Sequence, residues 1–202
     1  MRVALFGGTF DPPHLGHLAI AKAAADAFQL DSVLFAPVGL QPLKTNYPTS
    51  PFEDRLAMVR LACKIDHRFH VSLVDAPRAD GTPNYTAETL ATLRQQMPDA
   101  TLFNMVGADS FLTLRQWHES DLLLTLAEWI VVGRPGSSLD DLSSLRLTPE
   151  QRSHVRLLTT VHEDISATKL RQRLAAGDPC QNLLPSEVEQ YIRQHRLYLG
   201  SR

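Results

Sequence analysis

Met1-Arg2-Val3-Ala4-Leu5-Phe6-Gly7-Gly8-Thr9-Phe10-Asp11-Pro12-Pro13-His14-Leu15-Gly16-His17 opens the chain. Val3 to Phe6 are apolar without alternation, which reads as a strand buried on both faces. The run is too short for the core of a signal peptide. A helix-like, alanine-rich pattern follows over Leu15–Phe28. The stretch is therefore a strand–loop–helix junction, and in open α/β sheets ligands bind beyond the carboxyl ends of the strands. Paired glycines let backbone N–H groups approach an anion, and a helix N-terminus adds a favourable dipole. Neither the GK[ST] ending of a P-loop nor the GxGxxG spacing of a dinucleotide turn is present. The junction predicts a phosphate site of another kind.

Working outward, short apolar runs alternate with longer helical patterns. Strands are expected at Ser32–Ala36, Phe69–Val74, Thr101–Val106, Glu128–Val132 and Val155–Val161. Helices are expected at Phe52–Lys64, Tyr85–Met97, Ser110–Ala127, Thr168–Ala176 and Ser186–Arg196. Ser50-Pro51-Phe52-Glu53 reads as a capping box with proline at the first helical position, and Thr148-Pro149-Glu150-Gln151 as the cap of a short helix. Strands this apolar imply helices on both faces of a parallel sheet. The fold class is α/β, a Rossmann-like doubly wound parallel sheet with C-terminal helices. A single domain is expected over residues 1–202, its C-terminal helical part starting near 164. The Ser-, Leu- and Asp-rich stretch after Gly133-Arg134-Pro135-Gly136, through Leu147, reads as a surface excursion.

Composition bounds the function. The 202 residues carry a formal net charge of -2, with 44% hydrophobic and 21% charged residues. That balance suits a soluble globular chain with a real core and gives no global attraction to nucleic acid or anionic membrane. Neither partner is expected, and any anion site must be local. The longest late apolar run, Leu122 to Ala127, falls far short of the ~20 residues that span a bilayer. Cys63 and Cys180 form no CxxC pair and read as small buried or surface side chains, which suits a reducing cytoplasm. Nothing in one chain specifies an oligomeric state.

His14 and His17, three apart, share one face of the first helical turn, and Gly16 keeps the ground beneath them clear. Half of a metal site or a solvated helix face are the other readings of such a pair, but no third ligand is evident. The preceding strand, the glycines and Asp11 favour a phosphate site. Asp11 could act near the phosphates or a metal, or simply hold the loop by hydrogen bonds. His67 and His70 have the same spacing without that context and read as surface. Far downstream, Ile165-Ser166-Ala167-Thr168-Lys169-Leu170-Arg171 places hydroxyls at a helix start. The cations Lys169, Arg171 and Arg173 follow where the helix dipole disfavours them. A bound polyphosphate would reverse that penalty.

Gly8-Thr9-Phe10-Asp11-Pro12 with His14-Leu15-Gly16-His17 resembles the signature of the HxGH nucleotidyltransferase superfamily, and Ile165–Arg171 resembles its second, phosphate-binding segment. Further matches resemble the bacterial nicotinate mononucleotide adenylyltransferases, and together they cover nearly the whole chain. These are Pro37–Lys44, Asn84-Tyr85-Thr86-Ala87-Glu88-Thr89-Leu90, Val106–Phe111, Trp117-His118, Val132–Gly136, and Leu183-Leu184-Pro185 with Tyr191-Ile192. The resemblance implies transfer of AMP from ATP to nicotinate mononucleotide, with Mg²⁺ carried on the ATP phosphates. It assigns the transfer to His14, His17, Lys44 and Arg171, and ATP binding to Gly7, Gly8, Thr9, Phe10, Ser166 and Thr168. Acceptor binding falls to Tyr85, Thr86, Gly107, Asp109, Trp117 and Arg134. Trp117 would stack on the pyridine ring or serve as a core aromatic. Arg134 would contact the nucleotide or stiffen its turn. Two departures stand out: Leu43 replaces the family histidine, and Asn84 the usual serine, which would alter a hydrogen bond near the ring. Rival readings keep the chemistry with nicotinamide mononucleotide or pantetheine phosphate as acceptor, or keep nucleotide binding without turnover. A nicotinamide-dependent dehydrogenase is disfavoured by the missing GxGxxG.

Overall fold

The computed structural model describes residues 1–42, 49–133, 139–159 and 165–199. Lys44 and Arg134, with Leu43, lie outside the described residues. Six strands form one all-parallel sheet: β1 (Arg2–Gly8), β2 (Ser32–Pro37), β3 (Phe69–Val71), β4 (Thr101–Gly107), β5 (Glu128–Val132) and β6 (Val155–Leu158), in the order β3-β2-β1-β4-β5-β6. The chain winds outward from β1 to β3, crosses back to β4 and winds the other way. This reversal leaves a crevice between the carboxyl ends of β1 and β4, the place where such sheets bind ligands.

The unalternated apolar strands do what the sequence implied. Val3, Ala4, Leu5 and Phe6 are all buried, and because successive side chains point to opposite faces they feed two separate cores. Ala4 and Phe6 join the core under helices α1 (Leu15–Ala27), α2 (Phe52–Ala62), α7 (Ala167–Ala175) and α8 (Ser186–Gln194). Val3 and Leu5 join the core under α3 (Thr86–Gln96) and α5 (Ser120–Leu126), with Trp129 fully buried at its centre. Helix α1 buries Gly16, Ala21, Ala24 and Ala25 beside Leu18, so small side chains let it sit close on the sheet. Among the described residues no helix is long and apolar enough to cross a membrane. His67 and His70 are exposed, as expected.

Several local expectations are corrected. The helical stretch Ser110–Ala127 is broken into α4 (Ala108–Phe111), a 3-10 turn at Leu114–Gln116, and α5. Extended backbone at Trp117 and left-handed Glu119 (φ 53°) separate the last two. The break lets the Trp117 indole donate from Nε1 to Thr113 Oγ1 (3.1 Å) and lie edge-on to Trp129. Strand β3 ends at Val71, not Val74, and the chain then turns so that the Asp75 carbonyl accepts from Gly39 N–H at 2.7 Å. Ser50 does not cap α2. Pro51 is the N-cap residue, and Ser50 gives its N–H to Asp11 and its carbonyl to Arg55. The stretch through Leu147 is not purely a surface excursion, since Leu142 and Leu145 are buried against the α3/α5 side. The Thr148 box forms as expected and starts α6 (Pro149–Ser153). Strand β6 is described to Leu158, and part of the Val155–Val161 reading lies outside the described residues.

Close packing at the β2 end of the crevice fixes Gly39. A Cβ there would stand 2.5 Å from Pro77 Cα and 2.6 Å from its nitrogen, both backbone atoms that cannot swing away. Gly39→Ala is expected to lower stability by about 1–3 kcal/mol, the usual range for overpacking, read as a lower urea midpoint at unchanged slope.

Candidate active site

The crevice between β1 and β4 opens into a cavity of about 450 Å³. Gly7 and Gly8 form one wall, and Asn104 to Gly107 of β4 form another. Tyr85 and Thr86 at the start of α3 line it, with Trp117 and His118 from the broken segment. The Tyr85 and His118 rings lie 4.6 Å apart. Gly8 has no room for a side chain without pressing on the Phe10 ring, 3.1 Å from a notional Cβ. Cavities of this size with a few convergent polar groups are typical small-molecule sites.

Next to it, on the α1 side of the sheet, stands the histidine pair. His14 is the N-cap residue of α1 and His17 occupies its first turn. Their rings stack at 3.6 Å between centroids, with 26° between planes. Phe10 presents an edge to His17 at 5.1 Å, and Phe6 at 6.0 Å. The His14 backbone N–H donates to His17 Nδ1 (3.2 Å). That bond makes Nδ1 the acceptor and assigns the proton of the neutral ring to Nε2. Burial holds His14 down to about 4 and pushes His17 well below its usual value, helped by repulsion from His14. Both rings are thus neutral near pH 7. Among the described residues, His14 Nδ1 is buried without a hydrogen-bond partner, an orphan that calls for an explanation.

The segment at Ser166–Arg171 arrives at the same place. Ser166 is the N-cap residue of α7. Arg171 Nη1 donates to the carbonyl of Asp11 at 2.8 Å, across 160 positions of sequence, and Nη2 reaches Thr168 Oγ1 at 3.5 Å. Neither partner is a carboxylate, so the guanidinium charge has no counter-ion in these contacts. The Asp11 side chain is 2% exposed, and both its oxygens are engaged, by Ser50 N–H at 3.1 Å and the Tyr198 hydroxyl at 2.5 Å. Of the two readings for Asp11, the structure thus supplies the loop-holding bonds. Beneath the loop, buried Arg55 donates to the carbonyls of Thr9 (2.8 Å), Val38 (2.9 Å) and Ser50 (3.1 Å). One first-turn amide of α1 is already taken, because Leu15 N–H bonds the Leu183 carbonyl at 3.0 Å.

Expected site residues thus divide. His14, His17, Thr168 and Arg171 gather around the loop after β1. Tyr85, Thr86, Gly107 and Trp117 line the cavity, and so do Gly7 and Gly8, expected on the ATP side. Asp109 is exposed and is not part of the lining. Asn84 lines the cavity, but both ends of its amide are committed, Oδ1 accepting from Leu40 N–H (3.1 Å) and Nδ2 donating to the Ala76 carbonyl (3.0 Å). Sequence reasoning missed Arg55, Asp75, Asn104 and Tyr198. Asp75 is a buried carboxyl, raised by desolvation, that accepts the Thr89 hydroxyl and so anchors α3. Only Asn104 carried a signal, a primary amide inside an apolar strand.

With this geometry in place, comparison with known proteins is decisive. Residues 5–173 match the family model described as cytidylyltransferase-like. The chain is 42% identical to the probable nicotinate-nucleotide adenylyltransferase of Roseiflexus sp. (strain RS-1), covering 97% of each chain. It is 41% identical to that of Streptomyces coelicolor, covering 96% of this chain and 99% of the relative. The chain belongs to the nicotinate-nucleotide adenylyltransferase family. Its fold is shared with Plasmodium falciparum nicotinic acid mononucleotide adenylyltransferase complexed with NaAD, at a TM-score of 0.75, 17% identity, and 98% and 97% of the two chains.

For a nicotinate-nucleotide adenylyltransferase family member, the division into an imidazole pair and an adjoining cavity is the useful feature. Neutral rings give the pair donors without drawing in counter-ions, and an incoming polyanion would raise their affinity for protons. The same depression carries a stability consequence. Between the ordinary value of 6.5 and about 4, the unfolded chain binds a proton that folded His14 refuses. Stability is therefore lost as pH falls through that window. Wild type is expected to lose more unfolding free energy between pH 6.5 and 4.5 than His14→Gln, by urea melts. Inorganic tripolyphosphate should move the His14 midpoint upward by NMR.

Proposed function

We propose that this chain transfers the AMP group of ATP to nicotinate mononucleotide, releasing pyrophosphate and nicotinate adenine dinucleotide. The observation that carries this reading is the meeting of Arg171 with the Asp11 carbonyl, beside stacked His14 and His17, at the edge of a cavity sized for a nucleotide. The relatives' names and the NaAD complex of the structural neighbour support the same acceptor.

In the reaction, an oxygen of the acceptor phosphate attacks the α-phosphorus of ATP. The bond from that phosphorus to the bridging oxygen breaks, and pyrophosphate leaves with the electron pair. The nucleophile is already ionised near neutral pH, so no strong base is required and catalysis is alignment plus charge stabilisation. Holding both reactants in line recovers about 7–11 kcal/mol of barrier. His17 Nε2–H and the His14 ring donate to the phosphates around the reacting centre. Arg171 and Lys44 neutralise the departing pyrophosphate, Ser166 and Thr168 fix it at the start of α7, and Thr9 and Phe10 shape the loop beneath the nucleotide. Tyr85, Thr86, Gly107 and Trp117 take the acceptor ring and ribose, Asp109 approaches a ribose from the rim, and Arg134 contacts the nucleotide.

Mg²⁺ enters as a companion of the ATP phosphates. The donors here are imidazole and guanidinium, and both Asp11 carboxylate oxygens are engaged, whereas magnesium favours oxygen ligands and water. The free, buried cysteines suit a cytoplasmic setting, where ATP is supplied.

The test is pyrophosphate release from ATP with each acceptor. Turnover with nicotinate mononucleotide well above nicotinamide mononucleotide is expected, and none with the acid would reject the assignment. His17→Ala should lower kcat by about 10²–10³, the effect of losing one charge-stabilising donor, with an unchanged melting curve. Near-normal turnover would remove His17 from the site.

A further inference from the structure

Tyr198 lies in the turn after α8, 187 positions from Asp11, yet its hydroxyl donates to Asp11 Oδ1 at 2.5 Å. It is not part of the cavity lining. The turn is bent to present it. Arg196 and Tyr198 are both left-handed, at φ 53° and 62°, a conformation that bulky side chains rarely adopt and that persists where the surroundings impose it. The Tyr198 ring packs on the core under α1, α2, α7 and α8, while the next residue, Leu199, is 64% exposed. Burial and the neighbouring Asp11 carboxylate push the phenol upward, so it keeps its proton near pH 7 and remains the donor.

Asp11 is where a displaced loop would be felt by the whole phosphate side. His14, the N-cap residue of α1, follows it three residues later, and its carbonyl anchors the Arg171 guanidinium. Among the described residues its carboxylate has two donors, Ser50 N–H on Oδ2 and the Tyr198 hydroxyl on Oδ1. Without that hydroxyl a 2% exposed carboxylate keeps one oxygen unmet, which is unfavourable enough to move the group toward another partner. The Asp11 peptide moves with it, and so do the two histidines and Arg171. Tyr191, on α8 itself, offers an internal comparison. Its hydroxyl also donates to a carboxylate, that of Asp54 on α2, at 2.9 Å, but among the described residues no side-chain bond joins Asp54 to the loop.

We propose that Tyr198 is a positioning residue for the transfer, acting through Asp11 on His14, His17 and Arg171. The proposal rests on the adenylyl-transfer reading above, and its test separates the two. Tyr198→Phe, which removes one oxygen, is compared with wild type and with Tyr191→Phe. With ATP and nicotinate mononucleotide, kcat is expected to fall about 10- to 100-fold in Tyr198→Phe, the range for reacting groups displaced by a remote change. KM for nicotinate mononucleotide should stay unchanged, the pattern of an interaction realised in the transition state. Tyr191→Phe loses a similar bond and should keep its kcat. The His14 and His17 ring signals in NMR should shift in Tyr198→Phe and stay in place in Tyr191→Phe. A near-normal kcat, a loss matched by Tyr191→Phe, or unmoved ring signals overturns the proposal, because each leaves the hydroxyl a share in stability alone. If Tyr198→Phe does not fold, Asp11→Asn, which offers the phenol a weaker, uncharged acceptor, is judged by the same kcat and ring signals. Without wild-type turnover the proposed function fails, and the ring signals alone decide: shifted in Tyr198→Phe they uphold the positioning, unmoved they overturn it.

Discussion

Everything in the site depends on how the loop from Thr9 to His14 is held. Side chains from elsewhere in the chain meet the loop's Thr9 and Asp11 carbonyls. Arg55, 2% exposed, spans it by bonding the carbonyls of Thr9, Val38 and Ser50. Asp11 then ties in the rest, its carboxylate by Ser50 N–H and the Tyr198 hydroxyl, its carbonyl by Arg171. One buried cation and one buried anion thus bind four distant parts of the chain to a single loop. Burying a charge is costly unless it is hydrogen-bonded; here Arg55 meets three carbonyls, and the Asp11 carboxylate meets an amide and a hydroxyl. The loop position is consequently over-determined, and the histidines that follow it inherit that precision.

The electrostatic design of the phosphate side follows from the same burial. Desolvation favours the neutral form of both imidazoles, so the fold does not stack two like charges at 3.6 Å. The positive charge is left to Arg171, whose partners are a carbonyl and a hydroxyl. An incoming polyanion would meet imidazole donors and a guanidinium that, among the described residues, bonds no carboxylate.

Much of this was legible in the chain. Val3–Phe6 without alternation gave a strand buried on both faces, and its glycines and histidines gave the strand–loop–helix junction. Ile165–Arg171 was readable because cations at a helix start defy the dipole unless an anion is near. Less legible were places where backbone geometry overrode local pattern. Ser110–Ala127 carries a helical pattern, yet Trp117 is extended because its indole is held by Thr113 and Trp129. Ser50 resembles a cap, but its backbone is taken by Asp11 and Arg55.

The amino-acid sequence by itself determined the parallel sheet, the strand–loop–helix junction and the second helix start with its hydroxyls and cations, because these rest on periodicity and local start signals. Only the tertiary structure decided that Arg171 meets the loop of Asp11, that Tyr198 closes on it, and that Asn104 lines the cavity between β1 and β4. Those facts depend on contacts between positions up to 187 apart. No local pattern encodes such pairings; they arise when both faces of the sheet are packed and each buried polar group has found, or lacks, its partner.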